Sequence, residues 1–411
     1  MEQPGVIGGR DHFTDFDLDS REFSDNYDEV IEELLERCPV ARGNALGGYW
    51  VVSRAEDFKQ CAQDYETFTS TRGFEPAHSN EGEGAVKLYP LQLDPPHQTR
   101  WRQALGPYFS ARAARDIEDS MRAHANYLID SFVEAGSCDF VGAFAAQLPG
   151  HVFFGSFLGL PMDALAPVQK ANDDAIRGPA EGRAAAWGIL GNFLTEYLQS
   201  REKEPPRGDF VDAVLEGVMT EEGEPSPFEH KLFIMIDVMA GGMGTTSHVL
   251  ASMAHHLATH PDDAARLVRE PDKRASYVEE IIRVNAPVFA LGRTATRDTE
   301  IAGQKVTEGD LVMLAEGAAS RDPRVVDNPT TVDMDRKVPI NLAFSYGPHR
   351  CIGSHVARLE LMTALDLVLT RLPDLAVAPG EGPAHSNSGV ARNMDRLPLV
   401  FTPSGRQGPV A

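Results

Sequence analysis

Apolar residues recur with helical spacing along most of this chain. The longest such stretch predicts a helix from about Phe228 to Ala258. A second helix is predicted from about Lys273 to Asn285, just before a proline that cannot continue it. Helical spacing also covers most of Ala111 to Phe210, and an amphipathic helix is predicted for Val356 to Leu365. The pattern therefore predicts a mainly α protein.

Strand patterns are short and lie apart from these helices. Residues Tyr49 to Val52 follow a Gly-Gly turn, which predicts a strand in a small sheet near the N-terminus. The segment from Glu300 to Leu314 alternates around a Gly-Asp turn, which predicts a hairpin. No linker rich in Pro, Gly or Ser divides the chain and no repeat recurs. We therefore predict one domain over residues 1–411, with about residues 1–20 loosely ordered.

Composition narrows the class of protein. The 411 residues carry 61 acidic and 38 basic side chains, a formal net charge of −23, which disfavours binding to nucleic acid. No run approaches the ~18 apolar residues of a membrane span. The segment Met1 to Gly5 lacks the basic and apolar regions of a signal peptide. We therefore expect a cytoplasmic protein without a membrane anchor.

One cysteine stands out by its surroundings. The run from Phe344 to Gly353 places Cys351 in a glycine-bounded loop directly before the amphipathic helix. A thiolate there could ligate iron, and a helix start is expected to lower the pKa of the thiol. Gly347 and Gly353 would let the backbone approach a flat cofactor. Taken alone, a single cysteine is more often an inert buried thiol.

The cysteine loop resembles the haem-binding signature of cytochromes P450, whose usual form is Phe-Gly-x-Gly-x-His/Arg-x-Cys-x-Gly. It departs at one position, where Ser345 replaces the first glycine. The resemblance implies haem b with iron ligated by Cys351, and cofactor contacts from Phe344, His349 and Gly353. It also implies the P450 fold, a large helical domain with small β-sheets near the N-terminus and the C-terminus.

A Glu-x-x-Arg pattern lies in the predicted helix before the proline. Glu280 and Arg283 share one face of that helix. This pattern is common by chance, and its ordinary interpretation is a solvated ion pair. In P450s such a pair is joined by an arginine shortly before the cysteine loop, and Arg336 lies at the matching distance. The resemblance implies that all three are structural and hold the cysteine loop in place.

A Pro-Pro pair opens another predicted helix that carries polar side chains. Gln98 and Arg102 lie one turn apart there. In P450s this helix hydrogen-bonds a haem propionate, and Arg293 and His349 match two further donor positions. Fork-shaped guanidinium groups suit carboxylates. Arginines that face water are the alternative for any one of these positions taken alone.

The long apolar helix contains several glycines between residues 240 and 246. Glycines weaken a helix by up to ~1 kcal/mol each, so they mark a close approach, a widened turn or ordinary packing against a neighbour. By resemblance this is the oxygen-binding groove, where Gly241 contacts the cofactor and Thr245 lies near dioxygen. Most P450s carry an acid before that threonine, whereas this chain has Gly244. Thr245, Thr246 and water are then left to deliver protons.

An acidic residue interrupts the apolar part of the same helix. Asp237 precedes Thr245 by eight residues, roughly 12 Å along an ideal helix. A carboxylate in an apolar run costs free energy unless it is paired or hydrated. Two interpretations stay open: contact with a polar or cationic part of the substrate, or pairing with an arginine of a neighbouring helix.

The resemblance implies a haem-thiolate monooxygenase. It would insert one oxygen atom from O2 into a small to medium organic substrate, by hydroxylation, epoxidation or O-dealkylation. Electrons would come from NAD(P)H through ferredoxin reductase and ferredoxin, because the chain has no flavin or nicotinamide motif of its own. The pocket residues implied by the resemblance are Asp237, Ala240, Gly241, Thr245, Phe289, Val390 and Ala391.

Two other interpretations compete with this one. Because Gly244 replaces the usual acid, the protein could be a peroxide-driven or reductive haem-thiolate enzyme. A cysteine hydrolase using Cys351 and His349 is the more remote alternative. Residues two apart on one loop rarely form a nucleophile–base pair, and no oxyanion site is evident.

Overall fold

The computed structural model describes residues 4–76, 86–160, 162–178, 180–337, 341–388 and 390–408. Helices make up most of these residues, as the sequence predicts. The helices are α1 (Arg21–Asp25), α2 (Tyr27–Arg37), α3 (Ala55–Gln63), α4 (His97–Leu105), α5 (Ala111–Asp116), α6 (Glu118–Asp130), α7 (Leu148–His151), α8 (Leu165–Arg177), α9 (Ala180–Arg201), α10 (Phe210–Glu216), α11 (Phe228–Thr259), α12 (Pro261–Arg269), α13 (Arg274–Val284), α14 (Glu316–Ala319) and α15 (Ser354–Arg371).

The strands are short and form small sheets. They are β1 (Val6–Ile7), β2 (Arg10–Asp11), β3 (Val40–Gly43), β4 (Tyr49–Val52), β5 (Phe68–Thr69), β6 (Ser137–Asp139), β7 (Leu291–Ala295), β8 (Thr299–Ile301), β9 (Gln304–Val306), β10 (Leu311–Leu314), β11 (Ala376–Val377), β12 (Ala384–Ser388), β13 (Ala391–Arg396) and β14 (Pro398–Val400). The largest sheet has the order β3-β4-β10-β7-β5. Strands β11, β14 and β6 form another sheet, and β12 pairs with β13. The small sheets near both ends of the chain confirm the predicted fold class.

Helix α11 is the central element, because its apolar residues extend around most of its circumference and a helix of that kind is buried. Its first half, including Phe233 and Met239, packs in a cluster with α4, α8, α9 and α10. Its second half, including Leu250 and Ala254, packs with α6, α13 and α15. The stretch between these halves borders a large cavity. The predicted bounds of this helix and of α13 are confirmed to within a residue or two.

The predicted hairpin from Glu300 to Leu314 is wrong in its pairing. The turn lies at Ala302-Gly303, so β8 pairs with β9. Strand β10 instead pairs in parallel with β4 and antiparallel with β7. All four of its residues are buried, and a strand buried on both faces is stabilised inside a larger sheet and not at the end of a hairpin.

The N-terminal segment contributes to a core. Strands β1 and β2 pair, and the side chain of Phe16 is fully buried against Phe289 with ring centroids 5.8 Å apart. The assignment of residues 1–411 to one domain stays a prediction. Within the described residues, the stretch Val141–Leu158 is long and apolar enough to cross a membrane by length and composition, but 56% of it is buried, as in the core helix of a folded domain.

Candidate active site

The Cys351 loop is held by hydrogen bonds along its length. The Cys351 N–H donates to the Phe344 carbonyl at 2.8 Å, which closes the loop on itself. Two side chains of α4 then bind its backbone: the Gln98 amide donates to the Pro348 carbonyl at 2.6 Å, and the Arg102 guanidinium to the Arg350 carbonyl at 2.5 Å. The loop is therefore positioned by α4 as well as by α15.

The special backbone positions of this loop have separate roles. Gly347 has a φ of +68°, and a Cβ added there would lie 2.6 Å from the Ala62 carbonyl oxygen of α3. Its lack of a side chain thus serves packing against α3, and our prediction that it lets the backbone approach a cofactor is wrong. A Cβ on Gly353 would meet only the Cys351 sulfur, at 3.9 Å. Ser345 has φ 60° and ψ −173°, a conformation that favours glycine.

The predicted structural triad comes together. Glu280 and Arg283 are buried and form a two-pronged ion pair with N–O distances of 2.7 and 2.9 Å. Arg336 adds a third contact to the Glu280 carboxylate at 3.0 Å. Arg283 also donates to the carbonyls of Pro329 and Thr331, in the stretch that leads to the cysteine loop. These contacts tie α13 to that stretch.

A cavity of about 1190 Å³ lies between α11 and the cysteine loop. This exceeds the roughly 300–1,000 Å³ of a pocket for one drug-sized ligand, so it has room for a large group and a substrate together. Twelve of the residues singled out from the sequence line it. They are Arg102, Asp237, Ala240, Gly241, Thr245, Thr246, Phe344, His349, Cys351, Gly353, Val390 and Ala391.

Three of the residues expected to contact the cofactor or the substrate do not line the cavity. Gln98 is 1% exposed and uses its amide to hold the cysteine loop. Arg293 is 2% exposed, one layer behind the cavity surface. The prediction that Phe289 is a pocket residue is wrong. Its ring stacks on Phe16 and meets Phe23 edge-on in a buried aromatic cluster, and such packing of rings is stabilising.

Helix α11 leaves open space opposite the cysteine. A Cβ added to Gly241 or Gly242 would meet no atom within 4 Å, so these glycines face the cavity and do not pack against a neighbouring helix. The Thr245 hydroxyl donates to the Gly241 carbonyl one turn earlier, at 2.8 Å. Helix α11 continues without a break through this region, so the glycines widen the cavity without interrupting the helix.

Two cations near the loop, the buried Arg293 and the half-buried Arg102, have no carboxylate partner among the described residues. Arg293 donates only to the Gly292 carbonyl, and Arg102 to the Arg350 carbonyl; neither forms an ion pair with any residue in the described ranges. Burial lowers the pKa of both guanidinium groups. His349 is also buried, and burial followed by these two arginines holds its pKa well below the usual range. An isolated buried cation is costly, so this corner favours a bound anion.

Two buried carboxyl groups on the cavity surface were not singled out from the sequence. Glu316 receives a hydrogen bond from the Ser345 side chain, and burial raises its pKa to about 8. Glu360 lies on the cavity face of α15, and burial raises its pKa to about 8 as well. The signal for Glu360 was available, because it is one turn after Val356 and Ala357 on the apolar face of a predicted amphipathic helix.

The Cys351 side chain is exposed on the cavity surface. Desolvation raises the pKa of its thiol, and the Gly353 N–H and the Arg102 guanidinium offset part of that effect. The helix start therefore lowers this pKa as expected, through the N–H of the N-cap residue Gly353, but desolvation is the larger effect. A metal ion that binds such a thiol removes its proton outright.

Comparison with known proteins identifies this combination of a cysteine loop and a long cavity-lining helix. The cytochrome P450 family model matches residues 174–393. A probable cytochrome P450 127A1 from Sinorhizobium fredii is 33% identical over 82% of this chain and 80% of its own length. The chain belongs to the cytochrome P450 family. A steroid C26-monooxygenase from Mycolicibacterium smegmatis is 30% identical to this P450 over 82% of the chain and 84% of that relative.

Solved structures support the same assignment for this P450. Cytochrome P450 CYP108D1 from Novosphingobium aromaticivorans aligns with a TM-score of 0.83 and 26% identity, covering 92% of this chain and 95% of that one. Cytochrome P450 CYP101C1 aligns with a TM-score of 0.84 and 25% identity over 98% of this chain and 100% of that one. The chain is a P450 monooxygenase, and its family carries haem iron with an axial cysteine thiolate.

The residues present in this P450 fit that cofactor. Haem b brings two carboxylates and an iron that needs a thiolate. The cavity offers one thiol, Cys351, and the half-buried guanidinium group of Arg102; the buried guanidinium group of Arg293 lies close enough to act on His349 of the loop. Neither arginine has a carboxylate partner among the described residues. At Gly241 and Gly242 of α11, open space remains where a side chain would otherwise stand.

Proposed function

We propose that this P450 inserts one oxygen atom from O2 into a small to medium organic substrate held between α11 and the cysteine loop. The observation that carries the proposal is that Cys351 of the loop and Gly241 and Thr245 of α11 line one cavity. Hydroxylation, epoxidation and O-dealkylation all fit this arrangement.

In this proposal Cys351 would supply the thiolate ligand of the haem iron, and Phe344 and Gly353, which line the cavity, would contact the cofactor. Arg102, Arg293, His349 and Gln98 would bind the propionates or position the groups that do. When bound, the haem–thiolate group supplies an oxidant that can attack an unactivated carbon, because the thiolate favours O–O cleavage. The protein would position the substrate, exclude water from the cavity and deliver protons.

Proton delivery falls to the hydroxyl groups of α11. Thr245 holds its proton toward the Gly241 carbonyl, and Thr246 is the next hydroxyl on the cavity surface. Since Gly244 offers no carboxyl group, we assign proton transfer to these hydroxyls together with water. Loss of the Thr245 hydroxyl should therefore lower product formation while electron consumption continues.

The substrate is expected to be largely apolar. Leu88, Phe153, Val238, Ala240 and Ala391 present apolar side chains to the cavity, and such surfaces bind by removing apolar area from water. We further propose that ferredoxin and ferredoxin reductase carry electrons from NAD(P)H, because the chain has no nucleotide or flavin motif. A cytoplasmic location is proposed with them, since that is where NAD(P)H and its reductases are found.

The comparisons favour neither alternative drawn from the sequence. The relatives include monooxygenases, which argues against a peroxide-driven or reductive enzyme. A hydrolase would need Cys351 and His349 to form an ion pair or hydrogen bond. His349 instead contacts the Ser70 hydroxyl at 3.1 Å, and burial raises the pKa of the thiol.

Reduced protein exposed to carbon monoxide tests the cofactor assignment. Wild type should show the red-shifted absorption of thiolate-bound haem. So should the control Cys138→Ala, because Cys138 lies in β6 and does not line the cavity. Cys351→Ala should lose it. A normal spectrum in Cys351→Ala, or none in wild type, would overturn the proposal.

Turnover tests the oxygen chemistry. Product should form with NADH, ferredoxin reductase, ferredoxin and O2, and Thr245→Ala should consume NADH with a several-fold lower yield of product. Product formation with peroxide alone, and none with the reconstituted electron-transfer chain, would contradict the monooxygenase proposal.

A further inference from the structure

One carboxyl group faces the apolar side of the cavity. Asp237 lies on α11 among apolar residues, and its half-buried side chain is part of the cavity surface. Gly241 and Thr245 follow Asp237 at i+4 and i+8, so all three lie along one stripe of the helix. Asp237 therefore lies on the same helix face as Gly241, about two turns before Thr245.

The carboxyl group of Asp237 is poorly satisfied by the protein. A carboxylate can accept about four hydrogen bonds, and Asp237 receives one, from the Leu91 N–H. It forms no ion pair with any residue in the described ranges, and Arg102 acts on it only through longer-range electrostatics. Among the side chains that the structure describes, no arginine pairs with Asp237, and about three of its acceptor sites carry no hydrogen bond.

Other charged groups of the cavity surface already have partners or lie on other elements. Arg183 donates to the Gly178 carbonyl, and Arg102 donates to the Arg350 carbonyl beside the cysteine. Glu316 contacts Ser345 of the cysteine loop, and Glu360 lies on α15 behind it. Asp237 is thus the charged group that stands on the helix opposite the cysteine.

We propose that Asp237 binds the ammonium group of the substrate, so that the natural substrate is an apolar molecule with one basic amine. This inference rests on the proposed monooxygenase function and deepens it. An ammonium group brings the missing positive charge and up to three hydrogen-bond donors into a site of low dielectric constant. Burial raises the pKa of Asp237 to about 7. A bound ammonium group would lower this pKa again, because a nearby positive charge favours the ionised carboxylate.

The helix geometry also sets the place of oxidation. Eight residues separate Asp237 from Thr245, which corresponds to about 12 Å along the helix. Apolar side chains such as Leu88 and Val238 line the same cavity. A substrate held by its amine at Asp237 would therefore extend an apolar body toward Thr245, and the carbon oxidised would be remote from the nitrogen.

Binding of primary phenylalkylamines of increasing chain length, each matched with the phenylalkanol of the same length, tests the proposal on the holoenzyme. The readout is the spin-state shift of the haem spectrum. At a length that spans about 12 Å, wild type should bind the amine about tenfold or more tightly than the alcohol. Asp237→Asn keeps the shape of the side chain and should reduce that ratio to about one. The control Glu75→Gln, at a carboxyl group of the same cavity surface that lies outside α11, should leave it unchanged.

A second variant guards against a folding defect in Asp237→Asn. Asp237→Glu keeps the charge on a longer side chain, so the best amine should become a shorter one. An equal amine preference in wild type and Asp237→Asn would overturn the proposal, as would an amine spectrum showing nitrogen bound to the iron. If the carbon monoxide spectrum is normal, either result leaves the monooxygenase assignment intact; a wild type without that spectrum would overturn both.

Discussion

The two sides of the cavity are built differently. The cysteine loop is bound from several directions: α4 holds it through Gln98 and Arg102, and Ser70 holds it through His349. Helix α11 faces it with open space beside Gly241 and with Asp237, which has a single hydrogen bond. In the proposed function, the first side would hold the haem of the family, and the second would leave room for the substrate. Substitutions should therefore affect folding on the first side and ligand choice on the second.

The largest expected effect concerns the ion cluster behind the cysteine loop. Arg283→Met should lower the free energy of unfolding by about 3–5 kcal/mol, because it leaves the buried Glu280 carboxylate with fewer partners. Asp335→Asn, which weakens surface contacts with Arg266 and Lys273, should cost far less, because water screens exposed ion pairs. Urea unfolding followed by circular dichroism measures both. An equal loss of unfolding free energy in the two variants would show that the buried cluster stabilises the fold no more than a surface ion pair does.

Glycines on the two sides provide a direct comparison. Gly347→Ala should destabilise the protein by about 2–4 kcal/mol, since its φ is +68° and the new Cβ would collide with the Ala62 carbonyl. Gly241→Ala meets open space, so it should leave stability unchanged or raise it by up to ~1 kcal/mol. It should instead weaken substrate-induced spin shifts. Thermal unfolding and ligand titration of both variants check this, and the opposite ranking would refute the comparison.

Ser345 allows the backbone strain in the loop to be measured. Its φ of 60° with an extended ψ costs a non-glycine residue about 1–3 kcal/mol. Ser345→Ala and Ser345→Gly both remove the hydrogen bond to Glu316, but only glycine relieves the strain. We therefore expect the glycine variant to be more stable than the alanine variant by about 1–3 kcal/mol in urea unfolding. Equal stabilities would mean that the loop is not strained at this position.

The smallest expected effect is on the pH dependence of stability. Burial raises the pKa of Glu360 to about 8, above the ~4.3 of an unfolded glutamate. The unfolded chain then loses this proton first, so stability present at pH ~4 falls as the pH rises toward about 8. Glu360→Gln should therefore raise the melting temperature by about 1–3 °C at pH 8 and change it little at pH 5. The exposed Glu181→Gln serves as the control and should show no such difference; an equal effect of Glu360→Gln at both pH values would contradict the assignment.

Much of the fold was predictable because it depends on local patterns. The bounds of α11 and α13 follow from apolar spacing and from prolines, and β4 follows from a turn and a short apolar run. The pairing of β10 was not predictable in this way, because its partners β4 and β7 are distant or not adjacent in sequence. Local alternation identifies a strand but does not select its neighbour.

The residues of the site divide along the same line. A run of ten residues from Phe344 to Gly353 was sufficient to indicate a haem-binding loop, since the spacing of that loop is itself the binding feature. The role of Gly347 and the place of Phe289 were misjudged, because both depend on segments far away in the chain that pack against them.

The sequence by itself determined the family, the order of helices and the cysteine at the centre of the chemistry. Each of these is encoded by neighbours within a few turns of the chain. Only the tertiary structure showed that Glu360 lines the cavity and that, among the residues it describes, Arg102 and Arg293 have no carboxylate partner and Asp237 accepts one hydrogen bond. The physical reason is that desolvation and pairing of a charge depend on every element that surrounds it, and those elements come together only when the chain folds.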